Sequence, residues 1–288
     1  MIIIDNIKYS LKKDINLVND QIPLTWWAVA PNFGDLLAPY LIEKLTSIPV
    51  KHVDLKPGNR RKPILSKRHN SEKSYFSIGS IVSRTNSNSI VWGAGTFGTE
   101  GESDLKNNAT YLAVRGPLTR NLLRIHGSNC PEIYGDPALL IPKVFNPSIK
   151  KTHKVGIILR WPELDWNKTN VDPNIKKIIL GTGNIEGTIT EILSCEKILS
   201  SSLHGIILAD AYNIPSAWLR SNTPKGLEHK FYDYFLSVNK MQQPQEINFS
   251  TKELTLTEVE TNIYFDDKKI EFNAKKLLDA CPFIEETT

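Results

Sequence analysis

Cysteine is scarce in this chain: Cys130, Cys195 and Cys281 are the three among 288 residues. No two of them form a CxxC pair and their number is odd, which argues against a disulfide framework and against a structural zinc site. Reduced, buried thiols in a cytoplasmic protein are the simpler reading. Long apolar runs are lacking too, and none approaches the roughly 20 residues needed to span a bilayer. The opening Met1-Ile2-Ile3-Ile4 meets Asp5 too early for a signal peptide. Any link to a membrane is therefore expected to be peripheral, for instance at its inner face. Nor is there a large excess of one charge: Lys+Arg 35 against Asp+Glu 31 leave a formal net charge of +4. That balance gives no footprint for nucleic acid. HExxH and a strand-end Asp-x-Asp are missing, so no metal and no bound cofactor are expected.

What remains is an ordinary globular composition, 40% hydrophobic and 23% charged, with length for one large domain or two of usual size. Strand-like and helix-like stretches alternate, which predicts an α/β fold. Strands are expected at Thr25–Ala30, His52–Leu55, Tyr75–Ile78, Ile90–Trp92, Thr110–Val114, Val155–Leu159, Ile175–Leu180, Lys197–Leu199 and Ala217–Leu219. Helices are expected over Leu36–Leu45, from Pro117, over Thr188–Leu193, from the His204 turn to about Tyr212, and over His229–Val238. A last helix is expected to carry Ile270, Ala274, Leu277, Leu278 and Cys281 on one face and to pack back on the body. Residues 56–73 read as a long basic loop. The basic link Lys150–Lys154 suggests a boundary, dividing the chain into 1–150 and 151–288.

Several turns carry chemistry. Asn32-Phe33-Gly34-Asp35 follows a strand and opens a helix, where backbone N–H groups and a glycine admit a ligand. Asn32 can orient a polar group, and Asp35 is either a helix cap or a base. The turn is not GxGxxG, so a dinucleotide site is unsupported. Gly93-Ala94-Gly95 also follows a strand, as a tight turn or a ligand loop. Arg115 sits between a strand end and a helix N-terminus, the setting in which a guanidinium fork takes a carboxylate or phosphate. His204 opens a helix behind Ser200, Ser201 and Ser202, which adds an imidazole and hydroxyl donors to a helix N-terminus. Arg60, Arg61, Lys62, Lys67 and Arg68 form a solvated loop able to attract an anionic acceptor or a lipid headgroup. Trp26, Trp27, Trp161 and Trp166 serve either as core or as sugar platforms.

In order and spacing these segments resemble the polysaccharide pyruvyl transferase family. The likeness runs through Asn32-Phe33-Gly34-Asp35, Gly93-Ala94-Gly95, Val114-Arg115-Gly116-Pro117 with Thr119, Gly135-Asp136-Pro137-Ala138 and Ser201-Ser202-Leu203-His204-Gly205 with Ala209. The resemblance implies two Rossmann-like domains facing across a cleft, as in GT-B glycosyltransferases, with the acceptor on the N-terminal side and the donor on the C-terminal side. It implies transfer of the pyruvyl group of phosphoenolpyruvate to two hydroxyls of one sugar in a bacterial-type surface polysaccharide, such as a capsule or exopolysaccharide, or in its lipid-linked precursor, giving a cyclic ketal and phosphate. Arg115 and His204 match donor-holding positions of the family. Ser201, Ser202, Gly93 and Gly95 fall beside them, and Asn32, Asp35 and Trp161 are the acceptor-side candidates. Lys230 looks like the family's lysine in the donor pocket, with Lys225 as its rival. Catalysis is expected from His204, Arg115 and Asp35. Some members have an arginine before the Leu-His pair where this chain has Ser202, and Lys230 or Arg220 is expected to compensate.

Two other readings stand beside this one. A nucleotide-sugar glycosyltransferase of the same fold needs an acidic residue on the ribose, with Glu186 and Glu191 available. A non-catalytic glycan-binding protein predicts no gain in stability from a small anion.

Overall fold

The structure, a computed structural model, describes residues 2–53, 73–160, 163, 169–221, 228–249 and 253–287. The chain opens with a hairpin, β1 (Ile2–Ile4) and β2 (Ile7–Leu11), joined through Asp5 and Asn6 at φ 51° and 66°. Two residues with positive φ make the turn whose twist suits a hairpin, and Asp and Asn tolerate it. There follow β3 (Ile22–Thr25), α1 (Phe33–Thr46), β4 (Val50–His52), β5 (Ser74–Phe76), β6 (Ser89–Trp92), the one-turn α2 (Glu102–Leu105), β7 (Thr110–Ala113), α3 (Pro117–Ile125) and the short α4 (Ile141–Val144). The remainder runs β8 (His153–Leu159), β9 (Asn170–Val171), β10 (Ile175–Ile179), α5 (Ile185–Leu193), β11 (Cys195–Ser200), α6 (Leu203–Ala211), β12 (Ser216–Trp218), α7 (Glu228–Ser237), β13 (Glu253–Leu254), α8 (Leu256–Asn262), α9 (Ala274–Asp279) and β14 (Ile284–Glu286).

Two parallel sheets dominate. One has the order β4-β3-β5-β6-β7, the other β10-β8-β11-β12, and every ladder in both is parallel. In each, the first strand lies between the second and the third. Strand order therefore reverses beside β3 in one sheet and beside β8 in the other, and crevices at carboxyl ends open at such points. Period-two alternation buries both faces of each sheet. Leu24, Tyr75, Trp92 and Ala113 join Ile158, Ile178 and Ile198 in one continuous core. Phe76 and Val91 point to a second cluster with Tyr111 and Leu123, while Val155, Ile157 and Leu159 point to a third with Leu254 and Val259.

Several boundaries differ from expectation. The first strand of the large sheet is Ile22–Thr25, not Thr25–Ala30, because these are the residues in register with β4 and β5. The next strand is Val50–His52, and Leu55 lies outside the described residues, as does the basic loop. In α3, Pro117 takes the first turn as expected, Thr119 and Leu123 are its buried residues, and Ile125 is 75% exposed. The last helix is confined to Ala274–Asp279, because the Asn273 side chain accepts from Lys276 N–H and starts it there. The chain then continues into β14, which pairs antiparallel with β2. Among the described residues no helix is long and apolar enough to cross a membrane.

Candidate active site

Turns at the carboxyl ends of both sheets converge. In the first turn of α1, Asp35 is 9% exposed and its Oδ2 accepts from Asn32 Nδ2 at 2.5 Å. Asn32 is the residue before the helix but makes no side-chain cap bond to the backbone, so the pair serves each other. A helix N-terminus favours a carboxylate, yet burial dominates and pushes the Asp35 carboxyl up to about 7, against the pull of Lys230, Asn32 and Arg84. The turn after β5 lies close by: a Cβ on Gly79 would sit 3.1 Å from Asp35 Oδ1.

Gly34 is one place where the two halves of the chain meet tightly. A Cβ there would lie 2.1 Å from His204 Nδ1, so only glycine lets the imidazole lie on the first turn of α1. His204 opens α6 behind Ser202, and its side chain is 15% exposed. Burial, then the charges of Lys230 and Arg115, lower its pKa to about 3, so the ring is neutral at neutral pH. Its Nε2 is sealed from solvent without a hydrogen bond. Asp136 Oδ2 lies 3.9 Å from it, also sealed and unpartnered. The other Asp136 oxygen accepts from Ala138 N–H, and burial raises this carboxyl to about 6 despite that bond and Arg115. A buried polar group left unpaired costs about 1–3 kcal/mol, so two facing each other mark an arrangement kept for something other than stability.

Arg115 is 1% exposed and heavily engaged. Nε donates to Asp233 Oδ2 at 3.0 Å, Nη1 to Ser80 Oγ at 2.8 Å and Nη2 to the Thr96 carbonyl at 2.6 Å. Among the described residues those three bonds leave the rest of its five N–H donors uncommitted. The guanidinium lies on Gly95, where a Cβ would come within 2.3 Å of Cζ. Gly93, at φ 91°, instead packs on Pro137. Asp233 also accepts from Thr119 N–H and Thr119 Oγ1, which pins α7 to the start of α3.

Lys230, one turn earlier on α7, is half-buried with Nζ 5.4 Å from the Phe231 ring centroid. Burial, with Arg160 and Arg115 nearby, lowers its ammonium to about 7, and Asp35 and Glu163 oppose the shift. Beyond β8, Arg160 donates from Nη1 to Ser221 Oγ at 3.1 Å. Buried Glu163 accepts from both Ser201 Oγ and Ser221 Oγ, and Ser201 Oγ accepts from Arg160 N–H at 3.0 Å. Ser202 stays half-buried at the α6 N-terminus, with no side-chain cap bond.

The structure thus gathers Asn32, Gly34, Asp35, Gly95, Arg115, Ser201, His204 and Lys230 into one region, with Gly93 and Ser202 at its margin. Trp161 and Lys225 lie outside the described residues. Arg220 is taken up in ion pairs with Glu228 and Glu246. The cation added beside Lys230 is instead Arg160, which the sequence reading missed together with Glu163, Asp136 as a site residue, and Asp233. Asp136 had a signal, since it follows Gly135 at a strand-to-helix turn. Asp233, inside an amphipathic helix, had none. Glu186 takes Tyr40 Oη–H and Lys44, and Glu191 pairs with Lys176, so both acids are occupied on the surface. Trp26 packs edge-on against His52.

Fold and site together define an α/β protein with two parallel sheets and a buried, cation-rich site where their turns meet. The chain belongs to the polysaccharide pyruvyl transferase family, whose sequence model matches residues 32–223. That span begins at Asn32 and takes in Arg115 and His204. The chain is also similar to an uncharacterised protein of Acanthamoeba polyphaga mimivirus, 30% identical over 185 residues, or 60% of this chain and 63% of the relative. A functionally uncharacterised protein of Klebsiella pneumoniae has a solved structure that aligns with a TM-score of 0.47 and 15% identity, covering 80% of this chain and 93% of that one.

Proposed function

We propose that this protein transfers the pyruvyl group of phosphoenolpyruvate to two hydroxyls of one sugar in a surface polysaccharide or its lipid-linked precursor. The observation that carries the reading is the meeting of Arg115, Lys230 and a neutral His204 beside Asp35, Ser201 and the α6 N-terminus. Phosphoenolpyruvate brings a carboxylate and a phosphate on three carbons. Its arrival favours the protonated forms of Lys230 and His204, which burial among cations otherwise disfavours. Arg115 supplies a fixed positive field from beneath.

In the reaction, protonation of the methylene carbon makes the central carbon electrophilic. One sugar hydroxyl adds there, the C–O bond to phosphate breaks, and a second hydroxyl closes the ketal. Of the two hydroxyl protons, one is balanced by the new methyl C–H and the other leaves on phosphate. Asp35, raised toward neutrality, suits the base that takes a hydroxyl proton, and His204 suits proton delivery to the leaving phosphate. We place the reaction in the cytoplasm at the membrane's inner face, in a GT-B-like cleft formed by residues 1–150 and 151–288. The three buried free thiols fit that compartment.

The test incubates the purified chain with phosphoenolpyruvate and a panel of diol-bearing glycans. Phosphate release with a matching pyruvyl ketal on the glycan, both lost in His204→Ala, is the expected result. Stabilisation by UDP- or GDP-sugars but not by phosphoenolpyruvate would favour glycosyl transfer instead. Stabilisation by none of them would favour a binding protein.

A further inference from the structure

The facing orphans Asp136 Oδ2 and His204 Nε2 ask what they are for. Both atoms are sealed, neither has a hydrogen bond, and 3.9 Å separates them. That is about 1 Å beyond an ordinary N–H···O bond. Asp136 is fully buried, and its Oδ1 is fixed by Ala138 N–H at 3.0 Å. The turn Pro137–Leu140 that follows it is buried along its length and packs on α6, which carries His204. Backbone and one carboxylate oxygen are thus held, while the second oxygen is aimed at the ring. The opposite edge of the ring, with Nδ1, rests on Gly34 beside Asp35.

We propose that Asp136 is a positioning residue that keeps His204 as the Nε2–H tautomer, so that Nδ1 is the nitrogen that takes and gives protons in the site. A carboxylate only accepts hydrogen bonds, so the ring nitrogen facing it must carry the hydrogen. Lys230 on α7 and Arg115 after β7 also act on the ring, and both oppose a second ring proton. Among the described residues Asp136 is the anion facing Nε2, at 3.9 Å, and it favours that proton when a donor phosphate arrives. The remaining charges on Asp136 come from Arg115 and Asp233. The kinetic part of this inference rests on the pyruvyl-transfer reading, but the tautomer does not.

Long-range proton–nitrogen correlation spectra of histidine-labelled protein, without ligand near pH 8, test it directly. The His204 signals are identified by their loss in His204→Gln. The expected wild-type pattern is a neutral ring protonated at Nε2. A ring protonated at Nδ1 overturns the proposal and needs no variant of Asp136. Asp136→Asn keeps an oxygen for Ala138 N–H and presents an amide N–H to Nε2, so the ring is expected to switch to Nδ1–H. An unchanged tautomer in that variant also overturns it. If the chain transfers pyruvyl groups, Asp136→Asn is expected to lower kcat roughly 10²-fold or more, with KM for phosphoenolpyruvate within about threefold. A raised KM at unchanged kcat would assign Asp136 to donor binding and defeat the positioning role. An inactive wild type with the Nε2–H pattern would sink the transfer reading and leave the tautomer standing.

Discussion

Gly34 and His204 are 170 positions apart, yet the ring rests on the glycine. Gly34 sits in α1, where alanine is the better helix former by about 0.5–1 kcal/mol. Space alone therefore forbids the methyl. Gly34→Ala is expected to leave the fold intact, with overpacking of about 1–3 kcal/mol partly offset by that propensity. The imidazole is displaced, and stabilisation by phosphoenolpyruvate is lost. Thermal unfolding with and without the ligand checks this, and an undiminished ligand shift would contradict it. At this scale Asp35, Arg115 and His204 could be picked from sequence because each stood at a glycine-bearing strand-to-helix turn, whereas Lys230 came from the family resemblance. Their protonation could not, because burial sets it: Asp35 and Lys230 both end near 7 from opposite sides.

Helix α7 links the second half of the chain to the first. The Asp233 carboxylate holds Arg115 Nε, Thr119 N–H and Thr119 Oγ1, and its backbone oxygen lies where a Cβ on Gly116 would have to go. His229 on the same helix bonds Thr96 through Nε2 at 3.1 Å. Removing the carboxylate strands a buried guanidinium, which typically costs about 3–5 kcal/mol. Asp233→Ala is expected to lose that much in denaturant unfolding, and Asp233→Asn less, since one oxygen can still accept. A loss under about 1 kcal/mol in the alanine variant would mean that Arg115 finds another partner. The existence of α7 was legible from its apolar spacing. Its attachment was not, because an aspartate on a helix reads as a solvent-facing charge until the partner arginine is in place.

Over the whole molecule, the C-terminal segment returns to the start. β14 lies on β2, Trp92 Nε1 donates to the Leu277 carbonyl at 2.9 Å, and the Phe283 ring packs 4.7 Å from Tyr75 and 6.3 Å from Trp92. Phe283 is fully buried in the core that both parallel sheets share. Phe283→Ala is expected to destabilise the protein by about 3–5 kcal/mol. Circular dichroism in urea would record it as one cooperative shift of the whole transition. A separate early transition would instead show that the tail rests on the body without belonging to its core. The hairpin and β14 escaped sequence reading because three- to five-residue strands carry too little periodicity to stand out.

The sequence alone determined the alternating α/β order and the set of polar turns that follow its strands, since these depend on local spacing and backbone preference. Only the tertiary structure decided which turns meet, that Arg160 rather than Arg220 joins Lys230, and that Asp136 faces His204. Those pairings join residues tens to more than a hundred positions apart, and packing of the shared core, not any local preference, brings them together.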